Sequence, residues 1–98
     1  MTIDDIRRAA TPACLEFGVR RLDVFGSLAR GNHSEASDVD LLVEFLSPAR
    51  RPAGRFFGLL HRLEDALGRD IDLLTINGLK NPFFRKRVLD ERIPLYER

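Results

Sequence analysis

Gly26-Ser27 and Asp38-Val39-Asp40 are separated by ten residues, 28 to 37, and Asp72 lies inside a second strand-like run, Ile71 to Thr75. A glycine-serine turn can grip a phosphate, and three carboxylates that converge beside it are what metal-assisted transfer at that phosphate requires. The expectation is an enzyme. In an extended strand, residues two apart point to the same side about 6.6 Å apart, so Asp38 and Asp40 can aim both carboxylates at one place. On its own strand Asp72 shares a face with Asp70 and Leu74, and a neighbouring strand could carry a third carboxylate to the same spot. Asp70, two residues earlier, is the weaker alternative.

Three unpaired carboxylates held close together would repel and raise one another's pKa, whereas divalent cations reverse that penalty and keep them ionised. Oxygen donors with no His or Cys beside them favour Mg²⁺ or Mn²⁺ over zinc. A pair of ions roughly 4 Å apart would divide the work between the attacking oxygen and the leaving phosphates. Asp38 and Asp40 are expected to bridge both ions. Asp72 is expected to hold the ion on the nucleophile side and to accept the proton of the attacking hydroxyl. Taken singly, Asp38 is also an ordinary turn residue and Asp72 an ordinary exposed carboxylate. Together they carry more, because Asp is disfavoured inside strands and here recurs on the flanks of Leu and Val runs.

Gly26 permits close backbone approach. Ser27 can offer its hydroxyl and N–H to a phosphate at the start of a helix, and Arg30 lies one turn later, within reach. A P-loop is a poor fit, because Asn32 stands where its lysine belongs. An EF-hand fits no better, since an apolar strand follows Asp40 instead of a liganding loop.

The elements that must position these groups are legible in outline. Ile6, Ala10, Ala13 and Phe17 give one apolar stripe from Asp4 to Phe17, with Pro12 either kinking that helix or starting a second one. Gly18 ends it. Arg20 to Phe25 reads as a strand with Leu22 and Val24 on one face and Asp23 and Phe25 on the other. The stretch from Asn32 to Ser37 is turn-prone. Asp38 to Phe45 is a second strand whose Val39, Leu41, Val43 and Phe45 face helices, while Asp38, Asp40, Leu42 and Glu44 face away. Ser47 to Gly54 reads as a loop. Phe56, Leu59, Leu60, Leu63 and Leu67 then mark an amphipathic helix stopped by Gly68. Asp70 to Thr75 is a third strand, Asn77-Gly78 a turn, and Pro82 opens a last helix that turns Phe84, Val88 and Leu89 inward. Ile93 to Tyr96 adds an edge strand. The fold class is therefore α/β (α+β), a small mixed sheet of three to four strands packed against helices in one domain, 1-98.

Composition excludes several classes. The chain has 98 residues and a formal net charge of +1, with sixteen Lys and Arg against fifteen Asp and Glu, so no global basic field supports direct nucleic-acid binding. No apolar stretch approaches the roughly 18 residues that cross a bilayer, and the N-terminus lacks a basic and apolar leader; a cytoplasmic protein is expected. The single Cys14, between Ala13 and Leu15, reads as an inert buried thiol. Arg50, Arg51 and Arg55, with Lys80, Arg85, Lys86 and Arg87, are candidates for contact with a partner or a triphosphate, though such charges are more often simply solvated. His33 and His61 stand alone. Phe56-Phe57 and Phe83-Phe84 supply more aromatic surface than a small core hides.

The run Phe25-Gly26-Ser27-Leu28-Ala29-Arg30-Gly31, then Ser37 to Phe45, then Asp72-Leu73-Leu74, resembles the minimal nucleotidyltransferase (MNT) family of the DNA polymerase β-like superfamily, from about Val19 to Tyr96. The resemblance implies a polymerase β-like core and an antitoxin of a HEPN/MNT toxin–antitoxin pair, which moves AMP from ATP to a tyrosine of the HEPN toxin. It implies that Gly26 and Ser27 hold the nucleotide phosphates, with Arg30 matching the motif, that Asp38 and Asp40 ligate Mg²⁺, and that Asp72 completes the triad. It also implies a hetero-oligomer with the toxin. Larger superfamily members add a helical domain for the acceptor, and this chain leaves no sequence for one, so a partner is expected to supply it. Two other readings stand beside this one: transfer to a small molecule such as an aminoglycoside, and a non-catalytic antitoxin acting by burial.

Overall fold

The structure, a computed structural model, describes residues 1–32, 38–47 and 52–98. The expectations placed on His33, Ser37, Arg50 and Arg51, and most of those for the turn after Asn32 and the loop after Ser47, lie outside the described residues.

The first helix, α1 (Ile3–Glu16), begins one residue earlier than the apolar stripe predicts, because Thr2 builds a capping box. The Thr2 hydroxyl accepts the Asp5 N–H at 3.1 Å, and the Asp5 carboxylate accepts the Thr2 N–H at 2.9 Å. The bond from the Thr2 N–H, followed by the Thr2 side chain beside it, favours the ionised carboxylate and holds the Asp5 pKa below its usual value. Pro12 lies inside α1, which runs on past it as one helix. Its ring is exposed, so the lost N–H bond falls on the solvent side, where water can serve the freed carbonyl. Ile6, Ala10, Ala13 and Cys14 form the buried stripe. Gly18, at φ +65°, turns the chain into the sheet.

Strand β1 (Val19–Phe25) is followed directly by a single short turn of helix, α2 (Gly26–Arg30), and then by β2 (Val39–Phe45). Helix α3 (Pro52–Leu67) carries the chain over to β3 (Ile71–Thr75), a 3₁₀ turn (Ile76–Gly78) leads to α4 (Pro82–Glu91), and β4 (Ile93–Glu97) closes the chain. The helical start at Pro52 corrects the expectation of a loop through Gly54: proline's fixed φ and missing N–H suit the first helical position. The four strands lie in the order β3-β2-β1-β4. β1 is antiparallel to both β2 and β4. β2 and β3 are parallel, which requires the crossover that α3 provides.

Strand alternation divides the sheet into two unlike faces. Leu22, Val24, Val39, Leu41, Val43, Ile71 and Leu73 pack with α1 and α3 in the larger core, joined by Leu59 and Leu63 at 0% exposure. The other face has a smaller cluster, Phe25, Leu42, Leu79 and Val88, where α4 lies against the sheet. Phe84 meets Phe25 edge-on, with ring centroids 6.3 Å apart. That face carries Asp23, Asp40 and Asp72. Cys14 is buried as expected, and burial pushes its thiol pKa up to about 12, which removes it from thiolate chemistry.

Candidate active site

Parallel pairing of β2 with β3 sets Asp40 opposite Asp72 in register. Antiparallel pairing with β1 sets Phe25 opposite Asp40, so the turn at Gly26 begins beside the same carboxylate. Asp38 lies just ahead of β2, where the adjoining Val39 N–H bonds to the Asp70 carbonyl at 3.2 Å. Asp38, Asp40 and Asp72 thus share the face away from α1 and α3. Asp38 and Asp72 are exposed and Asp40 is half-buried.

Gly26 sits at φ +74°, and a Cβ built on it would stand 2.2 Å from Oδ2 of Asp40. Only glycine admits both that backbone conformation and that closeness. Burial is the largest influence on Asp40 and raises its pKa, the charges of Asp72 and then Asp38 raise it further, Arg30 works the other way, and Glu91 adds to the rise. A divalent cation would relieve this crowding, and the all-oxygen donor set, with Gly26 leaving room beside Asp40, fits one. Among the described residues, no three acidic, His or Cys side chains stand as a finished cage. The carboxylates are neighbours on one face, and rotation of short side chains would have to complete the ligation.

Ser27 is half-buried at the start of α2, and the Phe25 position before it offers no side-chain cap. Gly26 and Arg30 share one acceptor that the sequence reading missed. The Gly26 N–H donates to Oε1 of Glu91 at 3.0 Å, and Nη1 of Arg30 donates to both Glu91 oxygens at 3.2 and 3.1 Å. Gly26 therefore contributes space, while its own N–H is occupied. Glu91 is the last residue of α4, 65 residues from Gly26, and no local pattern links them. The one signal was an acidic residue at a helix C-terminus, where the dipole disfavours it.

A second missed feature is Asp23, 1% exposed on the same face. It accepts from Nε of Arg21 at 2.9 and 3.0 Å and from Arg92 at 3.4 Å, so a buried carboxylate is balanced by two guanidinium groups.

Among the basic candidates, Arg55 turns inward: Nη2 donates to the Leu46 carbonyl at 2.7 Å and the guanidinium lies 4.5 Å from the Phe45 ring centroid. It lines a cavity of about 360 Å³ with Val43, Thr75 and Asn77. That cavity adjoins the C-terminal ends of β2 and β3, away from Asp40 and Asp72 at their N-terminal ends, and holds none of the expected site residues. Arg85 donates to the Ile76 carbonyl, and Lys86 pairs with Asp90 at 2.7 Å.

Residues 6–95 match the family model described as a nucleotidyltransferase domain. The chain belongs to that family. A provisionally named protein adenylyltransferase of Methanocaldococcus jannaschii is 38% identical over 93 residues, 95% of this chain and 97% of that one. The protein adenylyltransferase MntA of Thermococcus cleftensis is 38% identical over 86 residues, 83% and 84% of the two chains. Among solved structures, a provisionally named minimal nucleotidyltransferase superposes with a TM-score of 0.79 at 38% identity, over 96% of each chain. A complex of tri-AMPylated Shewanella oneidensis HEPN toxin with its MNT antitoxin matches at a TM-score of 0.58 and 15% identity, over 94% of this chain and 73% of that one, a likeness of fold. The nucleotidyltransferase sheet thus has the mixed α/β architecture expected of the family, and no helix among the described residues is long and apolar enough to cross a membrane.

Proposed function

We propose that this nucleotidyltransferase moves AMP from ATP to a hydroxyl, a tyrosine in our reading, of a HEPN toxin with which it forms a hetero-oligomer, and so acts as its antitoxin in the cytoplasm. The observation that carries the reading is the Asp40–Asp72 register pair with Gly26 against Asp40: an acid set and a phosphate turn on one face of the sheet. Names of relatives that are protein adenylyltransferases support the reaction class.

Asp38, Asp40 and Asp72 would hold two Mg²⁺ ions, with Mn²⁺ an acceptable substitute. Such ions, when bound, neutralise the triphosphate and the leaving pyrophosphate. Ser27, through its hydroxyl and N–H, and Arg30, through its guanidinium, orient the triphosphate along the turn. The acceptor oxygen attacks the α-phosphorus of ATP; its new O–P bond forms as the bond from that phosphorus to the β-phosphate oxygen breaks. Pyrophosphate leaves with the bonding pair, and the hydroxyl proton passes to the Asp72 carboxylate. Asp72, being exposed, can meet an acceptor delivered from outside the chain.

The test is mass spectrometry of the co-purified partner after incubation with Mg²⁺ and each of the four nucleoside triphosphates. A gain of a nucleoside monophosphate is expected with the wild-type chain and none with Asp38→Asn/Asp40→Asn, which still folds and binds. Transfer by the double variant would overturn the site assignment. Neutralisation that survives without transfer would make burial of the toxin the mechanism.

A further inference from the structure

Glu91 stands where physical chemistry gives an acidic residue little reason to be. It is the final residue of α4, at the negative end of the helix dipole, and its charge adds to the crowding that Asp40 already feels. Against those costs its side chain accepts, among the described residues, three bonds, all from the phosphate turn: one from the Gly26 N–H and two from Nη1 of Arg30, with the side chain only 18% exposed. Both bonds to Arg30 use the same nitrogen. Among the described residues no bond reaches Nε or Nη2 of Arg30, and the side chain is 38% exposed. A fork gripped at one corner is held in orientation while keeping donors for an anion.

We infer that Glu91 is a positioning residue for nucleotide binding: from the end of α4 it fixes the positive-φ turn at Gly26 and aims the free edge of Arg30 at the triphosphate. The inference rests on the nucleotidyl transfer reading and names a residue that reading does not include. Glu91 itself touches no phosphate. It acts through Arg30, and it makes α4 part of the binding machinery. Without it, Arg30 must be ordered by the ligand, which weakens binding by the cost of that ordering.

The experiment is a double-variant cycle on the full chain, with ATP binding measured by calorimetry in Mg²⁺ for wild type, Glu91→Ala, Glu91→Gln, Arg30→Ala and the Glu91→Ala/Arg30→Ala pair. Glu91→Ala is expected to weaken ATP roughly tenfold, about the worth of one charge-assisted bond. Glu91→Gln, which keeps an acceptor for the Gly26 N–H, should recover part of that loss. In the Arg30→Ala background, Glu91→Ala should cost less than it does in the wild-type background, the remainder being the share owed to the Gly26 N–H. Additive losses, unchanged affinity, or tighter binding in Glu91→Ala would each overturn the inference, the last by making Glu91 an internal competitor for the phosphate site. Nitrogen-15 spectra of the same proteins supply a readout that needs no nucleotide. The Gly26 amide and the Arg30 side-chain signals should shift and broaden in Glu91→Ala, and signals identical to wild type would sink the proposal. A wild-type chain that binds no ATP while those signals still change would instead remove the nucleotidyl transfer reading and leave the coupling of Glu91 to the turn in place.

Discussion

Asp40 concentrates the electrostatic tension of the site. Its folded-state pKa is raised above the ordinary carboxylate value of 3.8, first by burial and then by Asp72 and Asp38. In that case the native state holds more protons than the unfolded chain between pH 3.8 and the folded pKa, so stability falls as pH rises through this window and is flat above it. Asp40→Asn removes the ionisation and should abolish that falling arm, leaving the variant more stable than wild type at neutral pH in metal-free buffer. Melting temperatures from pH 3 to 8 check this, and parallel curves for the two proteins would refute it. On the proposed role of these acids as Mg²⁺ ligands, the variant should also gain less than wild type from added Mg²⁺.

At the scale of elements, α3 does two jobs: it returns the chain so that β3 can lie parallel to β2, and it covers the larger core. Leu63 is at 0% exposure in that interface. Leu63→Ala should cost about 3 kcal/mol, transfer and cavity together, and lower the melting temperature by more than about 10 °C. A loss under 1 kcal/mol in urea unfolding would mean that α3 can collapse into the gap. Element identities were readable because apolar periodicity is local: the stripes at 6, 10 and 13 and at 59, 63 and 67 bury as their spacing requires. Boundaries were less so. Thr2 starts α1 through a reciprocal bond with Asp5 that depends on actual side-chain geometry, and Pro52 opens a helix where the string Ser47 to Gly54 reads as loop.

The whole molecule is lopsided. Among the described residues, seventeen buried ones make up the core under α1 and α3, against four in the cluster under α4. Opening energies should follow that inequality, so the amides of α4 should exchange with solvent faster than those of α3 under native conditions. Hydrogen exchange read by mass spectrometry would show it, and equal protection of the two helices would contradict it. The same helix carries Glu91 and, at its start, Phe83, which is 85% exposed.

What the sequence determined by itself was the inventory of candidate groups and the alternation of each strand: Gly26-Ser27 at a turn, Arg30 one turn on, and Asp40 on the side of its strand away from the larger core, because strand alternation and turn preference act over a few residues, while Asp38, expected to open that strand, lies just ahead of it. What only the tertiary structure decided was which groups meet. The parallel register that sets Asp72 beside Asp40, the bond from Gly26 to a glutamate 65 residues away, and the pairing of buried Asp23 with Arg21 and Arg92 all depend on how strands and helices pack. Such long-range partners leave no trace in local spacing, since the energy that selects them is shared across the whole sheet rather than carried by neighbouring residues.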